Sequence, residues 1–458
     1  MDPDFPLSIT QVSTSDVGGG AERIALDLHQ AYQARGIDAA LAVGFLRGAP
    51  PVAGVVGLDS RLVAQNAWAR SLHRLAPDVE RAQLSVASRT VRRVFYTLAS
   101  PAQAMRRLRG VPEFEAGADE VAAVCNRTAD SSTQRILQLH NLHGGYFDLN
   151  ALPTLSATLS TFMTLHDAWL TTGHCAHGLD CERWREGCGA CPHLDSPPAL
   201  RTDQTAELWR AKRDLLACSK LQVIAPSQYM ARRVEHSILT PALQSLTVIP
   251  NGVDPAVFRP ARAGEKSRLR IKLDLPTNAF VICYSAVGAR TNPYKDTKSV
   301  LKACERLAMT VGQPVVVVVI GGQSQRIIAL GGSCITIGTG YLKASENVAD
   351  WMRASDVLVH AAHAESFGLT SVEAQLCGLP VIVTDVGGLP ETVADSASGF
   401  IVPEGDTKAI ADRLAQLAYD GNLRLKMGEE AARFATAHFT RDLMADRYLE
   451  CYAQVAYQ

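Results

Sequence analysis

The chain of 458 residues carries no charge surplus: 45 Lys and Arg stand against 46 Asp and Glu, a net charge of −1. Nothing global therefore draws it to nucleic acid. It has no apolar run of membrane-spanning length, which takes about 20 residues; Pro314-Val315-Val316-Val317-Val318-Val319-Ile320 is far too short. The first residues, Met1-Asp2-Pro3-Asp4-Phe5-Pro6, show neither a basic n-region nor an apolar h-region, so a cytoplasmic location is expected. Without a secretory signal the sequon Asn126-Arg127-Thr128 carries no weight. There is no long internal repeat and no low-complexity tract. The G-x-G-x-x-G fingerprint is absent, so no dinucleotide site is assigned. No Asp-x-Asp metal motif stands out, and no catalytic metal is expected. Nor does any carboxylate pair suit a glycosidic bond in hydrolase fashion.

What is present is ordinary for a globular protein: 47% apolar and 20% charged residues, with length enough for two or three domains, each with its own core. Eleven cysteines, mostly scattered through apolar segments, suit reduced thiols. One stretch organises the rest: His363-Ala364-Glu365-Ser366-Phe367-Gly368-Leu369-Thr370-Ser371-Val372-Glu373-Ala374. The apolar run Asp356-Val357-Leu358-Val359 precedes it and Gly378 and Pro380 follow, so the segment reads strand, turn, short helix. Ser366 is placed to cap that helix, which leaves the N–H groups of Phe367 to Thr370 free for an anion such as phosphate. Glu365 and Glu373 are poor phosphate ligands but good acceptors for sugar hydroxyls. The competing reading is a capped surface helix with two solvated glutamates.

E-S-F-G-L-T-S-V-E resembles the E-x7-E motif of family-4 retaining glycosyltransferases. Val248-Ile249-Pro250-Asn251-Gly252-Val253-Asp254 upstream, and Val381-Ile382-Val383-Thr384 with Gly387-Gly388-Leu389-Pro390-Glu391 downstream, fit the same family. The resemblance implies an α/β protein of the GT-B fold, two Rossmann-like domains with a cleft between them. Residues 1–258 would form the acceptor domain, 259–438 the nucleotide-sugar domain, and 439–458 a C-terminal helix crossing back to the first. It implies transfer of a sugar from a UDP- or GDP-sugar to a carbohydrate or lipid-linked acceptor, with retention. The setting would be surface polysaccharide or glycolipid biosynthesis. Two further readings stay open: an epimerase or phosphorylase on the same fold, which a donor-only incubation distinguishes, and a non-catalytic nucleotide-sugar scaffold.

In chain order, Leu7 to Val12 reads as a strand, Gly18-Gly19-Gly20 as its loop, and Ile24, Leu28 and Tyr32 as one helix face. The loop is either a tight turn or, as in the resembled family, a wall near diphosphate and acceptor, lined by Gly19 and Gly20. Residues 61–109 are rich in Arg with interleaved aromatics. This is either a solvated helix face or a peripheral contact with anionic lipid at the inner face of the plasma membrane. Two strands deliver His140 and His166 at their C-terminal ends, where open parallel sheets bind ligands; the family places the second His against the donor sugar. The loop 174–193 holds Cys175, Cys181, Cys188 and Cys191, with His174, His177 and His193 nearby. Here structural zinc is favoured over disulfide or redox use and over unliganded thiols. Ser227 is placed to cap the next helix, and Pro260 to Lys266 reads as a linker. In the second half Arg290 and Lys295 follow a strand end and suit a diphosphate. Ile335 to Gly338 reads as an edge strand near the nucleobase. Glu365 would orient the sugar and Glu373 the ribose, with Phe367, Gly368, Leu369 and Thr370 at the phosphates and Gly387 and Gly388 lining the donor side.

Overall fold

The computed structural model describes residues 7–48, 52–58, 118–125, 133–285, 292–322, 327–331 and 333–456. The Arg-rich segment 61–109 and Arg290 lie outside the described residues. The chain divides into two units. One comprises residues 1–225, 231–247 and 449–458, the other residues 226–230 and 248–448. The break at 247/248 precedes the expected boundary at 258, and Pro260 to Lys266 falls inside the second unit. Local contacts give the reason. Val253 pairs with the backbone of Phe439 and Thr440, Gly252 presses on Thr440, and Arg259 forks onto Glu265 at 2.8 and 2.9 Å.

The first unit holds a seven-stranded sheet of β1 (Leu7–Ser15), β2 (Asp38–Phe45), β3 (Val55–Gly57), β4 (Gln134–Leu139), β5 (Ser160–Thr164), β6 (Leu221–Ala225) and β7 (Leu243–Val248). Their spatial order is β3-β2-β1-β4-β5-β6-β7. Helix α1 (Gly20–Ala34) follows β1 and buries Ile24, Leu28 and Tyr32, the face its periodicity predicts. The last helix, Arg441–Ala456, begins in the second unit and ends in the first. There Tyr452 meets Tyr32, with their hydroxyls 3.1 Å apart.

The second unit repeats the plan with β8 (Phe280–Ser285), β9 (Val315–Ile320), β10 (Ile327–Gly331), β11 (Cys334–Gly338), β12 (Val357–His360), β13 (Val381–Thr384) and β14 (Gly399–Val402), in the order β10-β11-β9-β8-β12-β13-β14. All its pairings are parallel except β10 with β11. The edge is therefore β10, and the 335–338 segment lies one strand in, paired on both sides. Burial explains the composition of β9: all six residues, five of them Val, are buried between two layers, as parallel strands require. Each such side chain contributes roughly 1.5–3 kcal/mol.

Strand β12 is anchored at its start by a buried carboxylate. Asp356 accepts from Arg270 and Lys266, each at 2.6 Å, and from the Val281 backbone N–H at 2.8 Å. Burial opposes its ionisation, but Lys266 and Arg270 hold its pKa below the usual range. Asp356→Ala would leave the buried Arg270 guanidinium without its counter-charge, at a cost of about 3–5 kcal/mol. The expected readout is a lowered unfolding midpoint in urea, with Asp356→Asn intermediate. An unchanged midpoint would show that the anchor is dispensable.

Candidate functional site

In each sheet the strand order reverses direction at one point, between β1 and β4 and between β8 and β12. Crevices outside the C-terminal ends of strands form at such points. In the second unit the loops leaving β8 and β12 are zipped together there. Lys295 bridges to Ala362, Asp296 N–H donates to the Ala361 carbonyl, and His363 N–H donates to the Tyr294 carbonyl. This brings Lys295 to Glu365: Nζ stands 2.7 Å from Oε2. The same ammonium is 2.9 Å from Nε2 of His360, whose Nδ1 is 2.9 Å from the Ser371 hydroxyl. Burial works against the Glu365 charge, yet Lys295 and His360 hold its pKa well below the ordinary carboxylate value. Burial, then the neighbouring Lys295 ammonium, push the His360 pKa down.

Four residues past Glu365 the chain enters the helix Leu369–Leu376, here α9. Its cap is Gly368, at φ +110°, a conformation that costs a side-chain-bearing residue. Ser366 does not cap it. Its carbonyl accepts from Ser227 Oγ at 2.7 Å, while its own hydroxyl is buried without a partner among the described residues. The positive φ at Gly368 moves the helix start two residues downstream and leaves the Ser366 side chain behind. Among the described residues the N–H groups of Gly368, Leu369 and Thr370 meet no acceptor, so an anion site remains at that end. The Phe367 side chain belongs to the core, 3% exposed and edge-on to Phe439. Glu373 is buried within α9, 5% exposed. Gly387 and Gly388 pack on the Glu365 loop: the Gly388 N–H donates to the Glu365 carbonyl at 3.0 Å. A Cβ on Gly387 would stand 1.9 Å from that same oxygen.

In the first unit His140 and His166 meet at the ends of β4 and β5, Nδ1 to Nε2 at 2.9 Å. Gln11 Nε2 lies 3.2 Å from Nε2 of His140; an amide nitrogen only donates, so His140 carries its proton on Nδ1 and donates it in a hydrogen bond to Nε2 of His166. His140 is wholly buried, a support that sets the tautomer of the half-buried His166. Burial drives the His140 pKa well below its usual value and that of His166 down to about 4. The same strand ends hold a second pair that the sequence reading did not single out, His143 with Asp167 at 2.9 Å. Burial alone would lower the His143 pKa, but the Asp167 carboxylate raises it. Gly19 and Gly20 are exposed, and the Gly19 N–H is already taken by Glu22 at 2.8 Å.

The cysteines of the 174–193 loop are free thiols. Cys191 lies 3.4 Å from Nε2 of His174, and Cys188 accepts from the Gly173 N–H at 3.4 Å. Among the described residues no group of three or more His, Cys, Asp or Glu is disposed to hold a metal ion. No described helix is long and apolar enough to cross a membrane.

Residues 265–434 match the sequence family described as "Glycosyl transferases group 1". A D-inositol 3-phosphate glycosyltransferase of Streptomyces bingchenggensis is 33% identical over 316 residues, 63% of this chain and 66% of that protein. Another, of Xylanimonas cellulosilytica, is 34% identical over 224 residues, 46% of this chain and 52% of its own. The chain thus spans about half to two thirds of the length of these curated relatives. Among solved structures, Anabaena HepE in complex with UDP and glucose superposes with a TM-score of 0.60 at 18% identity, covering 98% of this chain and 99% of that one. This likeness is one of fold.

The histidine pair makes acid stability testable. His140 and His166 are neutral in the folded chain but gain protons near their ordinary value of 6.5 once unfolded. The unfolded state then binds more protons, so stability is complete above pH 6.5 and falls as pH drops towards about 4. Melting temperature measured across that interval should decline, and His166→Gln should decline less steeply. Parallel profiles would contradict a depressed pKa at His166.

Proposed function

We propose that this chain, whose residues 265–434 carry the group 1 glycosyl transferase domain and whose two units have the GT-B fold, transfers a sugar from a nucleotide-diphosphate sugar to an acceptor hydroxyl with retention at the anomeric carbon. The observation that carries the reading is the 2.7 Å contact between Lys295 and Glu365 at the sheet reversal, with Glu365 three residues before the first of the free N–H groups at the α9 start. A leaving nucleoside diphosphate gains negative charge as the glycosidic bond breaks. A fixed ammonium and a helix N-terminus stabilise that charge without reorganising. Glu365 then accepts hydrogen bonds from sugar hydroxyls, and Arg290, outside the described residues, is the second cation in this reading.

UDP-sugars are the first donors to test, since HepE is described as bound to UDP and glucose. For the acceptor, the relatives' names point to D-inositol 3-phosphate; the resemblance noted in the sequence points to a carbohydrate or lipid-linked acceptor of surface polysaccharide or glycolipid synthesis. His166 faces the transferred sugar in this reading, with His140 behind it.

A thermal-shift screen over UDP-, GDP- and ADP-sugars tests donor binding. A ligand that binds only the folded chain stabilises it by about 2.7 kcal/mol at 100 times its dissociation constant. Lys295→Ala should abolish most of the shift and cost about 2–4 kcal/mol of transition-state stabilisation, roughly a 30- to 900-fold fall in kcat/KM. No shift with any nucleotide sugar, or an unaffected Lys295→Ala, defeats the proposal.

A further inference from the structure

We infer that His360 is a positioning residue for Lys295, holding the ammonium through Nε2 while Ser371 fixes the ring through Nδ1. The inference rests on the reading of Lys295 as the cation that meets the diphosphate.

The chemistry of the donors decides the arrangement. An ammonium has three protons and no lone pair, so it can only donate. At 2.9 Å from Lys295 Nζ, Nε2 of His360 must be the acceptor. The ring proton therefore sits on Nδ1 and is donated to Ser371 Oγ, also at 2.9 Å. The competing arrangement is an imidazolium giving Nε2–H to Glu365, whose Oε2 lies 3.4 Å away. That contact is the longer one, and it would set two cations side by side at a residue only 3% exposed. Burial disfavours it further. The charged groups facing His360 are Lys295 and Glu365, and the neutral ring leaves them as a single balanced pair.

The geometry has a purpose beyond solvation. A lysine is a point charge on a flexible stem. With one proton on Glu365 and one on His360, the direction of the third is set by the tetrahedral nitrogen. Ser371 lies in the first turn of α9, whose N–H groups make the anion site. One imidazole thus ties the cation and the helix start into the same frame. Among the described residues, removing it leaves Lys295 with Glu365 as its side-chain partner, one that must itself turn to the sugar when a donor enters.

Calorimetric titration of the full chain with UDP, GDP and ADP tests this. A hydrogen bond to a charged group predicts that His360→Ala weakens the bound nucleotide about tenfold or more. His360→Gln, whose side-chain oxygen can accept from Lys295, should restore affinity to within about threefold, and Ser371→Ala should fall between. In a Lys295→Ala background, His360→Ala should add less than about a twofold change, because its effect runs through the lysine. If His360→Ala does not fold, the Gln and Ser371 variants carry the comparison. Unchanged affinity in His360→Ala, or in Ser371→Ala should His360→Ala not fold, or losses that add to that of Lys295→Ala, overturn the inference. Wild-type chain that binds none of the three nucleotides overturns the reading of Lys295 and the inference with it.

Discussion

A half-buried ion pair between Lys295 and Glu365 is the constraint that the second unit is built to satisfy. Neither partner could be held there by its own loop. The loop after β8 and the loop after β12 must leave adjacent strands at the same sheet edge and run side by side. That needs the parallel pairing of β8 with β12, the buried strands on either side, and the Asp356 anchor that fixes where β12 begins. A buried pair of this kind is weak support for stability, because desolvation offsets the attraction. Its presence at a strand-order reversal beside an open helix start is therefore better explained by chemistry than by folding.

The two units reach comparable ends by different means. In the second, charge is concentrated and balanced within a few ångströms. In the first, the strand ends carry the His140–His166 pair, kept neutral by burial, beside the His143–Asp167 pair, and His140 donates its Nδ1 proton in a hydrogen bond to His166. Neutral donors and acceptors suit hydroxyl groups, whereas fixed charge suits phosphate.

Much of this was legible in the chain itself. Strand-like runs leading into His140 and His166, and one followed by the loop that holds Lys295, marked these side chains as candidates, because open parallel sheets bind ligands at their C-terminal ends. His360 follows the same rule as the last residue of Val357-Leu358-Val359-His360, and that signal was available but unused. What the letters could not supply was backbone conformation. Ser366 looks like a cap by residue type, yet the left-handed Gly368 takes that place. The 335–338 segment looks like an edge because nothing local announces that Ile327–Gly331 folds back against it. Four cysteines within one loop are visible at once, but their spacing does not say where the thiols point.

Gly387 carries a last implication. With its Cβ position lying 1.9 Å from the Glu365 carbonyl, the turn after β13 and the turn after β12 share one volume. Neither can be lengthened, given a bulkier residue or shifted without displacing the other. A side chain introduced at Gly387 would have to move the Glu365 backbone with it. The two turns can therefore change shape only together, as one rigid corner of the second unit.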